Sequence, residues 1–122
     1  MPRDYRVYLE DVLEAVANVR EFVGVMPRHE FESDKRTVHA VVRNLEVIGE
    51  AVKAVPPEVR DRHPQVPWQR IAGLRDILIH HYFGIDIDIV WDIVQNKLPE
   101  LAEQVRAILK ETIESPHPKL DC

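Results

Sequence analysis

Apolar side chains recur every three to four residues along most of this sequence, the spacing that lays one stripe down an α-helix. Tyr5, Tyr8, Val12, Val16, Val19 and Val23 mark a first helix over residues 4–24, which Gly24 and Pro27 stop. A polar stretch over 28–34 follows, and Ser33 can cap a second helix running to about Ala54. Its inner stripe is Val38, Val41, Leu45, Ile48 and Val52, and its opposite stripe is the charged set Arg43, Glu46, Glu50 and Lys53. Pro56, Pro57, Pro64 and Pro67 make residues 55–67 too dense in proline for helix, so an ordered loop is expected there. Pro67 is placed to open a third helix at its first position, with Ile71, Leu74 and Leu78 on the inner face, reaching about His81 and ending near Gly84. Asp86 can cap a fourth helix with Asp88 in its first turn, where the helix dipole favours negative charge. Ile87, Trp91, Val94, Leu98, Leu101, Val105 and Ile108 continue one stripe across Pro99. This reads either as one long helix kinked at Pro99 or as two helices meeting there.

These elements predict an all-α fold, an up-and-down bundle of four to five helices whose two longest members are antiparallel neighbours. The helical domain spans 1–114, and residues 115–122, with Pro116 and Pro118, form a frayed C-terminal tail. A bundle this small with apolar flanks commonly completes its core as a two-fold dimer. Composition agrees: 122 residues suit one domain, 45% are apolar and 30% charged, and only four glycines are present. A formal net charge of −5 excludes a chain that grips nucleic acid over its whole surface, so an RNA substrate needs a local basic patch. Cys122 is the only cysteine, which leaves no internal disulfide and suits a reducing compartment. No apolar run reaches the roughly 20 residues that span a bilayer. Met1-Pro2-Arg3-Asp4-Tyr5 lacks the apolar core of a signal peptide, so a cytoplasmic protein with no membrane partner is expected.

Candidate chemistry concentrates in one segment. Between Gly73 and Gly84 the chain carries Arg75, Asp76, His80, His81 and Tyr82 among apolar neighbours. On a helix Arg75 and Tyr82 share one face and Asp76 and His80 another, while Arg75 and His80 lie about 140° apart and flank one groove. That pairing suits metal-free RNA cleavage. Histidine takes and gives protons near neutral pH, and arginine offers a fixed fork of donors to a phosphate gathering charge. A two-fold dimer would bring a second His80 and Arg75 to the cleft, supplying an acid as well as a base. The plainer alternative is that Asp76 and His80 make an i,i+4 surface contact and the cations sit at a helix end.

Arg75, four residues, His80, one residue, Tyr82 resembles the signature of the HepT-like branch of the HEPN superfamily. Three further stretches carry the same resemblance: Val47-Ile48-Gly49-Glu50-Ala51 on the second helix, Val66-Pro67-Trp68 before the motif, and Ile85-Asp86 with Val90-Trp91-Asp92-Ile93-Val94 after it. Together they cover about residues 5–110. The resemblance implies a HEPN-like bundle acting as a metal-independent endoribonuclease, the toxin of a type VII-like toxin–antitoxin pair, with no cofactor. It makes Arg75 and His80 catalytic. Asp76 stands where relatives often have asparagine; a carboxylate repels phosphate, so it would orient His80 rather than touch RNA. The implied partners are a second copy, a minimal nucleotidyltransferase antitoxin, and RNA such as tRNA or mRNA. That nucleotidyltransferase would silence the toxin by moving AMP onto Tyr82.

Arg60, Arg62 and Arg70 surround the proline-rich loop and offer either a local basic patch for RNA or a solvated loop surface. Glu46 and Glu50, one turn apart, could suggest metal binding. A solvated or dimer-contacting face is the better account, because no Glu-x-x-His set completes a two-metal bundle site. His29, His39, His63 and His117 show no ligand spacing, and Trp68 and Trp91 suit the core. Two rivals to the nuclease remain: a non-catalytic subunit that docks nucleotide or a nucleotidyltransferase through the same residues, and a purely structural dimerisation bundle.

Overall fold

The computed structural model describes residues 4–74 and 86–114, the side chains of 112–114 excepted. Asp4 opens α1 (Tyr5–Val23), its side chain accepting the N–H of Arg6 at 2.9 Å. The Arg6 guanidinium returns to the same carboxylate at 2.6 Å and holds it below its usual pKa. Gly24 ends the helix at φ 55°, a positive-φ backbone that side chains resist.

The polar stretch that follows is itself helical over most of its length. It forms a short helix, α2 (Arg28–Ser33), with Pro27 before its first turn. One side chain anchors it: Phe31 is fully buried and its ring lies 5.2 Å from that of Trp91. Arg28 bonds both Glu32 and Asp88, tying α2 to the chain beyond the motif.

Asp34, not Ser33, caps α3 (Lys35–Ala54) by accepting the Thr37 N–H at 3.1 Å. The Ser33 hydroxyl instead donates back to the carbonyls of His29 and Glu30. The Thr37 backbone bond lowers the Asp34 pKa. A lowered carboxylate supports the fold above its ordinary pKa, and that support is lost as pH falls through the lowered value. Asp34→Asn keeps a cap without a titrating group. Its melting temperature should therefore fall less steeply than that of the wild type below about pH 4.

The expected inner stripe of α3 is the observed one: Val38, Val41, Leu45, Ile48 and Val52 are all buried. They pack against Leu9, Val12, Val16 and Val19 of α1. The Asn18 amide donates to Asn44 at 3.2 Å, whereas Tyr8 and Asp11 face Glu50 and Ala51 across a groove. Later residues of α1 thus meet earlier residues of α3, and the two longest helices run antiparallel.

The proline-rich region also contains helix. Pro56 precedes α4 (Pro57–Arg62), which Pro57 opens where a missing N–H costs nothing. Pro67 lies one residue outside α5 (Trp68–Ala72) as its N-cap. The third helix, expected to run unbroken to about His81, stops at Ala72 with Gly73 as its C-cap, and Leu74 is helical again.

Asp86 caps α6 (Ile87–Asp92) as expected, accepting the Ile89 N–H at 3.2 Å. The stripe beyond it is one unbroken helical run rather than two separate helices. Pro99 has no N–H to give to the preceding turn. The chain adapts with a π-helical turn, Ile93–Lys97, directly upstream, before α7 (Leu98–Glu114). The Leu98 N–H donates five residues back to the Ile93 carbonyl. In a regular α-helix positions five apart point about 140° away from each other. The wide turn closes that gap, so Ile93 and Leu98 are both buried while Ile87, Trp91 and Val94 are only partly covered. Leu101, Ala102, Val105 and Ile108 then face α1. Among the described residues there is no strand, and no helix is long and apolar enough to cross a membrane.

Candidate functional site

Arg75, Asp76, His80 and Tyr82 lie outside the described residues, as do the expected ends of their helix at His81 and Gly84, and the tail 115–122 with His117 and Cys122. The structure does describe the framework on both sides of the motif.

On the upstream side, α5 packs against α3 at Gly49. A Cβ at Gly49 would lie 3.1 Å from the Ile71 carbonyl oxygen, so a larger residue requires the α5 backbone to give by a few tenths of an ångström. The glycine of Ile48-Gly49-Glu50-Ala51 therefore sets the seat of the segment that leads into Arg75. Gly49→Val should overpack this contact and cost about 1–3 kcal/mol, measured by denaturant melts. A loss below 0.5 kcal/mol would show that α5 is not held this tightly.

The turn before α5 is latched to its surroundings. The Trp68 indole N–H donates to the His63 carbonyl at 2.9 Å, and the Gln104 amide donates to the Gln65 carbonyl at 3.2 Å. His63 is buried, with Nε2 3.5 Å from the Glu111 carboxylate. These contacts use three elements to fix the entry to the motif. Trp68 is core, as expected, and Trp91 is half-covered against Phe31.

A groove of about 460 Å³ opens between α5, the π turn and α7. Ile71, Leu74, Ile89, Ile93, Leu98 and Leu101 form its apolar floor and walls; Gln65, Arg70, Lys97, Glu100 and Gln104 bring polar groups to it. Of the three arginines singled out from sequence, Arg70 lines this groove. Arg62 is exposed on α4, and Arg60 is half-buried with its Nε unpartnered among the described residues. Gln65, Lys97 and Gln104 were not foreseen. Lys97 reaches the groove through the π turn, and the signal for that was the proline two residues later.

A second groove, about 490 Å³, lies between α1 and α3 and carries Tyr8, Asp11, Arg43, Glu46 and Glu50. Arg43 lies 3.9 Å from Glu46, and Lys53 lies 3.5 Å from Glu50. Each carboxylate thus has a cation on its own helix. Among the described residues no three metal-binding side chains gather in one place.

The fold is an all-α, HEPN-like helical bundle, and the polar motif follows α5 and precedes α6 in the sequence. The sequence model of the family described as ribonuclease HepT-like matches residues 12–108, and the chain belongs to that family. A relative in Methanocaldococcus jannaschii, whose name marks it as a candidate RNase, is 49% identical over 91% of this chain and 93% of its own. "Probable ribonuclease HepT" of Thermococcus cleftensis is 40% identical over 90% of this chain and 100% of its own. A further candidate RNase, from Caldanaerobacter subterraneus, is 44% identical over 87% and 95%. No solved structure matches the chain.

Proposed function

We propose that the protein is a metal-independent endoribonuclease toxin whose catalytic pair is Arg75 and His80. The observation that carries this is the Arg75, His80, Tyr82 spacing inside a chain of the ribonuclease HepT-like family. The names of the relatives support RNA as substrate. In the reaction the ribose 2′-hydroxyl attacks the adjacent phosphorus, and His80 accepts its proton. The bond to the 5′-oxygen breaks as that oxygen takes a proton from the second copy's protonated His80, leaving a 2′,3′-cyclic phosphate and a 5′-hydroxyl. Arg75 holds the phosphoryl oxygens as charge builds on them. Asp76 orients His80, and Arg60, Arg62 and Arg70 attract the RNA backbone against an overall charge of −5.

One chain offers a single histidine–arginine pair, whereas cleavage needs a base and an acid. A two-fold homodimer supplies both. Light scattering at micromolar concentration should therefore give twice the 14.2 kDa chain mass. A stable monomer that still cleaves RNA would overturn the two-copy site. The physiological partner in this reading is a nucleotidyltransferase antitoxin that transfers AMP to Tyr82. Incubation of labelled single-stranded RNA with the purified chain tests the activity itself: products should carry cyclic phosphate ends, and intact RNA at every protein concentration would refute the reading.

A further inference from the structure

The groove between α5, the π turn and α7 enters the catalytic proposal only through Arg70, yet its floor runs to Leu74, the residue directly before Arg75. We propose that this groove is a nucleotide subsite that seats one unpaired base of the RNA substrate. The inference rests on the ribonuclease reading and adds to it the place where the substrate is held.

Three features of the groove select this occupant. Its interior is apolar, built by Ile71, Ile89, Ile93 and Leu101, which suits the flat face of a base. Gln65 and Gln104 bring amide groups that can bond a base edge, and the Gln104 carbonyl oxygen remains to accept while its nitrogen is engaged with Gln65. Arg70 and Lys97 place two cations on the lining, neither of them in an ion pair with a described residue. In an acidic protein two such cations beside an apolar slot match a base flanked by phosphates. Glu100 lies on the same lining and opposes that match. It provides a control of opposite sign.

The π turn contributes directly. By closing the gap between Ile93 and Leu98 it brings both into one wall and leaves Lys97 at the groove.

The test uses the full-length protein and a fluorescent single-stranded 2′-O-methyl RNA, which lacks the attacking hydroxyl and reports binding alone. Each phosphate contact to a single strand contributes about 0.7 to the slope of log affinity against log salt. Arg70→Ala with Lys97→Ala should reduce that slope by about 1.4 and weaken binding about tenfold at physiological salt. Glu100→Gln should tighten binding, a gain that misfolding cannot produce. An oligonucleotide with one abasic position should bind about fivefold more weakly to the wild type, the low end for base stacking because the floor is aliphatic. The abasic penalty should shrink in Gln65→Trp, which fills the slot.

If wild-type protein leaves ordinary RNA uncut, the ribonuclease reading fails. If it cuts RNA while the double variant and Glu100→Gln bind the oligonucleotide as the wild type does, the subsite fails alone. Loss of dimer mass or of nucleotidyltransferase binding in the double variant, with oligonucleotide affinity unchanged, would assign the groove to a protein partner and overturn the inference.

Discussion

Alanine at His80 or at Arg75 is expected to lower RNA cleavage by about a hundredfold or more and to end toxicity in cells expressing the chain. A positioned general acid–base is worth about 10²–10⁴ in rate, and loss of one donor to a charged transition state costs about 10²–10³. The two variants should differ in a second readout. His80→Ala removes proton transfer, so it should bind RNA as well as the wild type does. In the proposed reaction Arg75 contacts the phosphate, so Arg75→Ala should also reduce the salt dependence of binding. Wild-type cleavage should follow a bell-shaped pH profile, because one histidine must be neutral and the second copy's protonated. It should persist in a chelator. Activity that vanishes with the chelator and returns with a divalent ion would overturn the mechanism. Circular dichroism and melting curves of both variants separate lost chemistry from lost fold.

The bundle was legible because its stripes are long. Over α1 and α3 each inner position repeats several times, and a single odd residue cannot shift the face. Short elements gave no such repetition. In α2 one phenylalanine, Phe31, carries the burial, and no period can be read from one point. In α4 the prolines that argued for a loop stand at the helix start, where they are tolerated. Ser33 and Asp34 are both competent caps, and only the backbone bond from Thr37 decides between them.

The downstream stripe failed for a different reason. Counting in threes and fours assumes about 3.6 residues per turn. The π turn ahead of Pro99 adds one residue, so Ile93 and Leu98, five apart, share the buried face. Proline signalled a disturbance but not its kind. The same inserted residue brings Lys97 to the groove, a position that helical counting over Arg60, Arg62 and Arg70 does not indicate. The motif is read as chemistry from residue types and spacing alone, and its side chains lie outside the described residues. The structure adds its setting: Gly49 seats α5 before the motif, and Asp86 caps α6 after it.

Tyr82 carries the other large effect. If the proposed nucleotidyltransferase partner exists, intact-mass measurement after producing the chain together with it should show the wild type heavier by one or more AMP units. In that step the Tyr82 oxygen attacks the α-phosphorus of ATP, pyrophosphate leaves, and the phenolic proton goes to a base of the partner enzyme. The product puts a negative phosphate and a bulky nucleoside two residues beyond His80. The added charge would compete with RNA for Arg75, which stands seven residues earlier and on the same face of a regular helix. Like charge would also repel the substrate backbone. Modified protein should therefore lose RNA cleavage and oligonucleotide binding together. Tyr82→Phe should cleave RNA at close to the wild-type rate, since the hydroxyl has no part in the proton transfers assigned to His80. It should remain toxic in the presence of an active nucleotidyltransferase, and its mass should not change. If Tyr82→Phe gains the same mass, the modified residue is another one. If it gains none and is still silenced, the partner acts by binding and the switch is not covalent.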